Sequence, residues 1–478
     1  MLPPSRPTRR CLLATALPLA AAAAACAGCA ASVARHPSTP TPHTRQITLS
    51  FEPLNAGLWS TQGSQIVLEA LWKTLEPWRS KHPSVRLKML PFGGNTDTAA
   101  LLSGTAPDVL LAWQNFGSLA AHNLLLDLTP YLRAGNDNLS VWPSYAVNAY
   151  RIQGRQYAFP FYVATTCMVV DQALLDSLGL SYPAPDATFS AWTTLWSSTT
   201  RRGGHPRFGG SIKSTVNGLA QAYFKGWGGS IMDPTHPGHC TIDSPECVAA
   251  AKAIFPLISE GICGFNYGIG DCISGIESGT YATAVLWNAA LAVSSLVEAL
   301  AHMPKWDFYP MPTMPAGSFA HTQYDYRAIN AATRHPEAAW ELLQWLSFVP
   351  DFQRTLMRYG LEPPALKALQ AEYTQVIAQV VPPFRYKNLA VLTQYVRDNG
   401  AIMEPIFPVL EPQAQQLIAH GEQAIIARTT GVTPGLQRIA QQVTAMQAAG
   451  LHAVAEQQRL RSVFPTRGPS VAPVVPGL

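Results

Sequence analysis

The chain has 478 residues, 47% of them apolar and 13% charged, with 33 Lys plus Arg against 29 Asp plus Glu. That composition excludes a chain too polar to fold, and the length accommodates two domains. Three of the arginines, Arg6, Arg9 and Arg10, fall in the first 28 residues, which hold no acid. The remainder is nearly neutral, so a basic footprint for nucleic acid is absent.

Residues 1–28 read as an export signal. They have a basic start, an uncharged Leu/Ala-rich centre from Leu12 to Ala25, and small residues around Gly28. A membrane-spanning helix is the weaker reading, because Pro18 and Gly28 interrupt the run and about 20 strongly apolar residues are needed to span. Ala27-Gly28-Cys29 resembles the lipobox of bacterial lipoproteins, which makes Cys29 the expected lipid anchor. Cys26, standing where Leu is usual, is the fallback. Thr8-Arg9-Arg10-Cys11-Leu12-Leu13 resembles a twin-arginine signal, and both that route and general secretion stay open. Residues 29–46 are rich in Pro, Ser and Thr and read as a tether. Residues 463–478, with Pro465, Pro469, Pro473 and Pro476, read as a disordered tail.

Between these ends, strands and helices alternate. Gln46 to Phe51 alternates as a strand; Ile66, Val67, Ala70, Leu71, Leu75 and Trp78 recur at helical spacing; Val85, Leu87 and Met89 alternate again. A small-residue turn, Ser103 to Ala106, then leads through Pro107-Asp108 into the apolar strand Val109–Ala112. This βαβ order predicts parallel strands in an α/β fold, whose ligands gather beyond the carboxyl ends of the strands. What stands there is Trp113-Gln114-Asn115-Phe116. Further on, Asp243 or Ser244 is placed to cap a helix opened by Pro245 and Glu246, and Pro336 with Glu337 opens another. Trp340, Leu343, Trp345 and Leu346 belong to the core face of the latter.

Cys167 sits in an apolar run and is expected as a buried free thiol. Cys240, Cys247, Cys263 and Cys272 lie within 33 residues, and in an exported chain they are expected to form two disulfides. Three pairings are open, with local closure, 240 to 247 and 263 to 272, preferred. His236 and His239 join Cys240 and Cys247 as zinc-type ligands, but their spacing is not that of a finger. DPTHPGHC reads more simply as a turn. Neither metal nor cofactor is expected.

Six segments in order carry a resemblance: SGTAPDVLLAW, LLLDLTPYL, GRQYAFPFYVATTCMVVDQALLDSLGL, CTIDSPECVAAAKAI, SGTYATAVLWNAAL and RHPEAAWELLQWLS. Together they resemble the extracellular solute-binding proteins of ABC importers, in the family that includes the maltodextrin-binding protein. The resemblance implies a two-lobed, periplasmic-binding-protein-like α/β fold of type II, hinged so that ligand contacts from both lobes stabilise the closed state. It places lobe 1 at 47–162 plus 322–385 and lobe 2 at 163–321 plus 386–450. The expected protein is a monomeric, non-enzymatic binder held at the outer face of the membrane, delivering a sugar to permease subunits.

Twelve tryptophans lie after residue 58, and four of them fall where such proteins place ligand contacts: Trp59, Trp113, Trp227 and Trp287. Broad rings stack on the C–H faces of sugars while amides and carboxylates take the hydroxyls. Asn115, Asn288, Tyr324 and Asp325 are the candidate polar partners. Three positions depart from the maltodextrin pattern: Ala164-Thr165-Thr166 replaces a ligand-binding Glu, Val170-Asp171 replaces Tyr-Asn, and YDYRAIN lacks a hinge glycine. The rival classes are a secreted glycosidase, which needs two acids at the right separation, and a subunit presenting ligand to a sensor. Signatures of zinc peptidases, serine hydrolases and phosphate loops are absent.

Overall fold

The computed structural model describes residues 46–53, 61–90, 97–112, 115–213, 219–266, 275–287, 294–323, 325–359, 363–397, 400–403 and 407–463. The expected export signal, residues 29–45 of the expected tether, Cys26, Cys29 and residues 464–478 lie outside them.

The three expected strands form: β1 (Ile47–Phe51), β2 (Val85–Met89) and β3 (Val109–Ala112). They are parallel, with β1 between the other two. All four residues of β3 are buried, as in a strand covered on both faces. The helical run between β1 and β2 is two helices, Thr61–Thr74 and Glu76–Lys81, because Pro77 opens the second and has no N–H to continue the first. A hairpin of β4 (Arg151–Ile152) and β5 (Arg155–Gln156) leads to β6 (Ala158–Pro160). The remaining strands are β7 (Ala164–Asp171), β8 (Gly210–Lys213), β9 (Cys263–Asn266), β10 (Thr283–Trp287), β11 (Trp306–Tyr309), β12 (Ala320–Gln323), β13 (Tyr326–Ile329) and β14 (Ala401–Met403).

Two sheets result. The first runs β2-β1-β3-β13-β6, and the second β10-β7-β12-β14. In the second, Thr166–Val170 of β7 pair with β10 on one side; on the other side β7 pairs first with β12 and then with β11. The parallel pair β8–β9 is joined to β10 through Ser211, whose Oγ accepts the Val285 N–H. Two crossovers link the sheets, from β6 to β7 and from β12 to β13, and the Phe161 N–H donates to the Asp325 carbonyl at 2.7 Å to bind one crossover to the other.

Parity along β7 decides which core each residue joins. Cys167 and Val169 belong to one hydrophobic cluster, together with the first sheet and the helix Pro336–Phe348. Met168 and Val170 belong to the other, with Trp192, Trp196 and Ile254. β10 repeats the pattern: Ala284 and Leu286 on one side, Val285 and Trp287 on the other. Successive strand side chains point to opposite faces, so the second sheet is a wall between two cores.

The helix-opening signals act as expected. Ser244 Oγ accepts the Cys247 N–H and starts Pro245–Ser259. Pro336–Phe348 buries Trp340, Leu343 and Leu346, while Trp345 is half-buried and its indole donates to the Thr74 carbonyl. DPTHPGHC is a turn organised by Asp233, whose Oδ1 accepts from the Thr235 and His236 amides. Among the described residues, no group of three His, Cys, Asp or Glu is arranged to hold a metal ion. The last helix, Val432–Val463, runs beyond 450 and includes Val463, because no proline intervenes until Pro465.

The cysteines require a correction. Cys167 is the expected buried free thiol, but Cys240, Cys247 and Cys263 are also buried free thiols, so the bond expected between Cys240 and Cys247 is not formed. Cys272 lies outside the described residues. Cys247 Sγ is committed elsewhere: it donates to the Ser230 carbonyl at 3.4 Å and occupies the space over Gly229, where a Cβ would approach it to 2.5 Å. Cys240 is tied to the last helix through its N–H, which donates to Thr444 Oγ1. Burial pushes the Cys240 thiol up to about 12 and raises Cys167, Cys247 and Cys263 as well, so all four stay protonated and poorly nucleophilic at neutral pH.

Candidate functional site

Strand direction fixes where a ligand can sit. β1, β2, β3 and β6 end at one edge of the first sheet, the edge at which β13 begins, since Tyr326 pairs with both Ala112 and Pro160. In the second sheet β10, β12 and β14 end where β7 begins: Trp287 pairs with Thr166, and Thr322 with both Thr165 and Met403. Both crossovers leave from these edges and each is no more than three residues long. The carboxyl ends of the two parallel strand sets are therefore held close together, the arrangement in which α/β sheets bind ligands.

On the first bank, Glu52 and Arg327 organise the exit from β1. As β1 turns away, the Glu52 carboxylate takes the place of a backbone carbonyl and accepts the Leu111 N–H at 2.9 Å. Arg327, fully buried on β13, donates from Nη1 to the Glu52 carbonyl at 2.7 Å and from Nη2 to the Pro53 carbonyl. Its guanidinium lies 4.4 Å from the Phe161 ring centre and 5.2 Å from that of Phe352. A planar fork of donors matches two adjacent carbonyls in a way a single ammonium cannot. The chain thus leaves β1 through a fixed point at Glu52 and Pro53.

Beyond β3, Asn115 has a left-handed backbone (φ 60°) and opens the short helix Phe116–Ala121. Its N–H donates to Glu411 Oε2 at 2.9 Å, reaching the first turn of the helix Glu411–Ile426. Gly117 packs so closely that a Cβ there would stand 2.3 Å from the Phe407 carbonyl oxygen. These contacts tie the segment after β3 to the second core, to which Phe407 belongs.

On the second bank, Trp287 ends β10 and is 9% exposed. Its indole Nε1 donates to His321 Nδ1 at 3.1 Å, and the His321 N–H donates to Thr166 Oγ1 at 3.0 Å. That first bond requires Nδ1 to carry no proton, which places the imidazole hydrogen on Nε2.

Four of the eight expected contact residues lie outside the described residues: Trp59, Trp113, Asn288 and Tyr324. The structure brings Asn115 and Trp287 to the two facing strand edges. Asp325 is fully buried in the crossover itself. Trp227 is half-buried after the helix Leu219–Gly226, edge-on to Phe189 at 5.0 Å, where it packs on the second core. Sequence reading missed Glu52, Arg327 and His321. A charged residue inside the otherwise apolar strand YRAI, and an acid at the point where β1 must stop, were the signals available.

The profile of the bacterial extracellular solute-binding protein family matches residues 63–348, well over half of the chain. The chain belongs to that family. Solved structures share its fold at low identity. An ABC substrate-binding protein of Listeria monocytogenes, in complex with cycloalternan, is 16% identical with a TM-score of 0.65, covering 84% of this chain and 99% of its own. The GacH receptor of Streptomyces glaucescens, solved unliganded and with acarbose, is 18% identical with a TM-score of 0.61 and the same coverage. UgpB of Mycobacterium tuberculosis, in complex with glycerophosphocholine, is 18% identical with a TM-score of 0.64, covering 86% of this chain and 99% of its own. No curated protein sequence is significantly similar. This family member accordingly has the two-lobed periplasmic-binding-protein fold and serves in extracellular solute binding. Among the described residues no helix is long and apolar enough to cross a membrane.

Proposed function

We propose that the protein captures a carbohydrate by lobe closure over the facing strand edges and delivers it to the transmembrane subunits of an ABC importer. The observation that carries this reading is an indole, Trp287, at the carboxyl end of β10, set opposite the strand ends that lead to Trp113 and Asn115. Ligands named for similar structures, cycloalternan and acarbose, support a saccharide; glycerophosphocholine marks the width of the fold's repertoire. The lobe limits proposed are 47–162 plus 322–385 and 163–321 plus 386–450. Crossovers at 161–163 and 324–325 support the first of these divisions.

Affinity follows from ligand size. About 0.3 kcal/mol per heavy atom over roughly 23 atoms of a disaccharide gives about 7 kcal/mol, or a Kd near 10 μM. At a hundredfold excess, ligand then stabilises the folded state by about 2.7 kcal/mol. A thermal-shift panel of oligosaccharides should therefore contain a hit that raises the melting temperature by several degrees and is recovered intact. Cleavage products would assign the protein to glycosidases. No shift from any saccharide would remove the sugar assignment and leave solute binding standing.

Anchoring at Cys29 is part of the proposal, supported by Ala27-Gly28-Cys29 and the Pro/Ser/Thr stretch behind it. Cys29→Ala should move the protein from the membrane fraction to the medium. Retention of that variant, with release only on Cys26→Ala, transfers the anchor to Cys26. The anchored protein is taken to act as a monomer.

A further inference from the structure

The helix Phe116–Ala121, which carries the chain away from β3, meets the second core at three points. Just before it, the Asn115 N–H donates to Glu411 Oε2. In its first turn Gly117 lies against Phe407, where a Cβ would stand 2.3 Å from the carbonyl oxygen and 3.2 Å from Pro408 Cα. At its end Gln458 Nε2 donates to the Ala121 carbonyl at 2.7 Å.

Each half of this contact is fixed to its own core. Phe116 packs edge-on to Tyr150 and Tyr326, with ring centres 5.0 and 5.4 Å away, and Leu119 and Ala120 are buried in the first cluster. On the other side Phe407 belongs to the second cluster, and Gln447 on the last helix binds Val409 twice, donating to its carbonyl and accepting its N–H. The three points between the halves are two hydrogen bonds and one approach of backbone to backbone, rather than interdigitated apolar side chains. Such a contact parts at low cost, because water replaces both hydrogen bonds, whereas parting either core exposes apolar surface.

We infer that this contact is made when the lobes close and parted when they open, and that Glu411 is a positioning residue acting through Asn115. The inference rests on the closure reading above. In the closed state Glu411 holds the Asn115 N–H, and with it the left-handed turn by which the chain leaves β3. Glycine at 117 is what lets the two backbones meet. Ligand binding is thereby coupled to a contact that lies outside the ligand.

Gly117→Leu tests this as a wedge. Gly117 has an ordinary helical backbone and leucine favours a helix, so the substitution opposes the seating against Phe407 and not the helix itself. In the ligand-free full-length protein its melting temperature should stay within about 2 °C of wild type, since opening relieves the clash. A larger fall identifies permanent packing and overturns the inference. Maltose, maltotriose, mannotriose and glycerophosphocholine serve as probes in calorimetry and small-angle scattering. A probe that wild type binds with a decrease in radius of gyration should bind Gly117→Leu at least about tenfold more weakly and without that decrease. Glu411→Met should lose about tenfold in affinity, whereas Glu411→Gln, which keeps an acceptor for the Asn115 N–H, should stay within a few-fold of wild type. Both variants remove the charge at the start of Glu411–Ile426, so the difference between them isolates the acceptor. Wild-type affinity in Gly117→Leu, or equal affinity in Glu411→Met and Glu411→Gln, overturns the inference. If glycerophosphocholine alone binds, the carbohydrate reading falls while the same comparisons decide this contact. If no probe binds, the ligand-free melting temperature decides it.

Discussion

Replacing Arg327 with Met should lower the melting temperature by roughly 3–5 °C and weaken ligand binding together. The side chain is fully buried and makes two charge-assisted hydrogen bonds to consecutive carbonyls, those of Glu52 and Pro53. Hydrogen bonds of that kind contribute about 1.5–3 kcal/mol each, and their loss leaves two carbonyl oxygens facing apolar surroundings. Taking about 3–5 kcal/mol in total, a single transition of a chain this long moves by about 1 °C per kcal/mol. Ligand affinity falls because the exit of β1 is no longer pinned. Arg327→Lys should recover little of either loss, since one ammonium cannot serve both carbonyls in the plane between Phe161 and Phe352. A lysine variant as stable as wild type would show that charge alone, not the fork, holds the exit of β1.

Trp287→Ala should carry two losses where the sequence predicts one. As a ligand-stacking ring its removal costs affinity by about tenfold. Yet Trp287 is nearly buried, belongs to the second hydrophobic core and donates to His321, so truncation should also destabilise the fold by about 3–5 kcal/mol. Trp287→Phe separates the two effects. It keeps an aromatic face but removes the indole donor from His321 Nδ1, which costs about 1–3 kcal/mol of stability. Affinity in that variant should stay within a few-fold of wild type. Wild-type affinity in Trp287→Ala, measured by calorimetry below its unfolding temperature, would remove Trp287 from the ligand site.

The parts of the fold that the chain announces locally are those with a period or a punctuation mark. β1 and β2 alternate, β3 is a short apolar run behind Pro107-Asp108, and Ser244-Pro245-Glu246 starts a helix; each depends on neighbours within a few residues. Arg327 depends on Glu52, 275 positions away, and reads in isolation as an exposed charge. His321 is similar: nothing near it in the chain reveals that Trp287 will donate to it. Cys240 and Cys247 illustrate the opposite failure. Their spacing advertises closeness, but a bond also requires the sulfurs to point at each other, and Cys247 points into the space that Gly229 leaves open. Among the proposed contact residues, the positions of Asn115 and Trp287 at or just beyond strand ends follow from the strand pattern, whereas the burial of Asp325 reflects two crossovers lying side by side.

The alternation along β7 has a consequence for folding. Cys167 and Val169 pack into one cluster and Met168 and Val170 into the other, so neither cluster can be completed while this strand is unformed. A lobe cut free at the crossovers would lack one face of its own wall. Calorimetry should accordingly record a single cooperative transition rather than two, and fragments divided at residue 162 should be recovered as folded material only when combined.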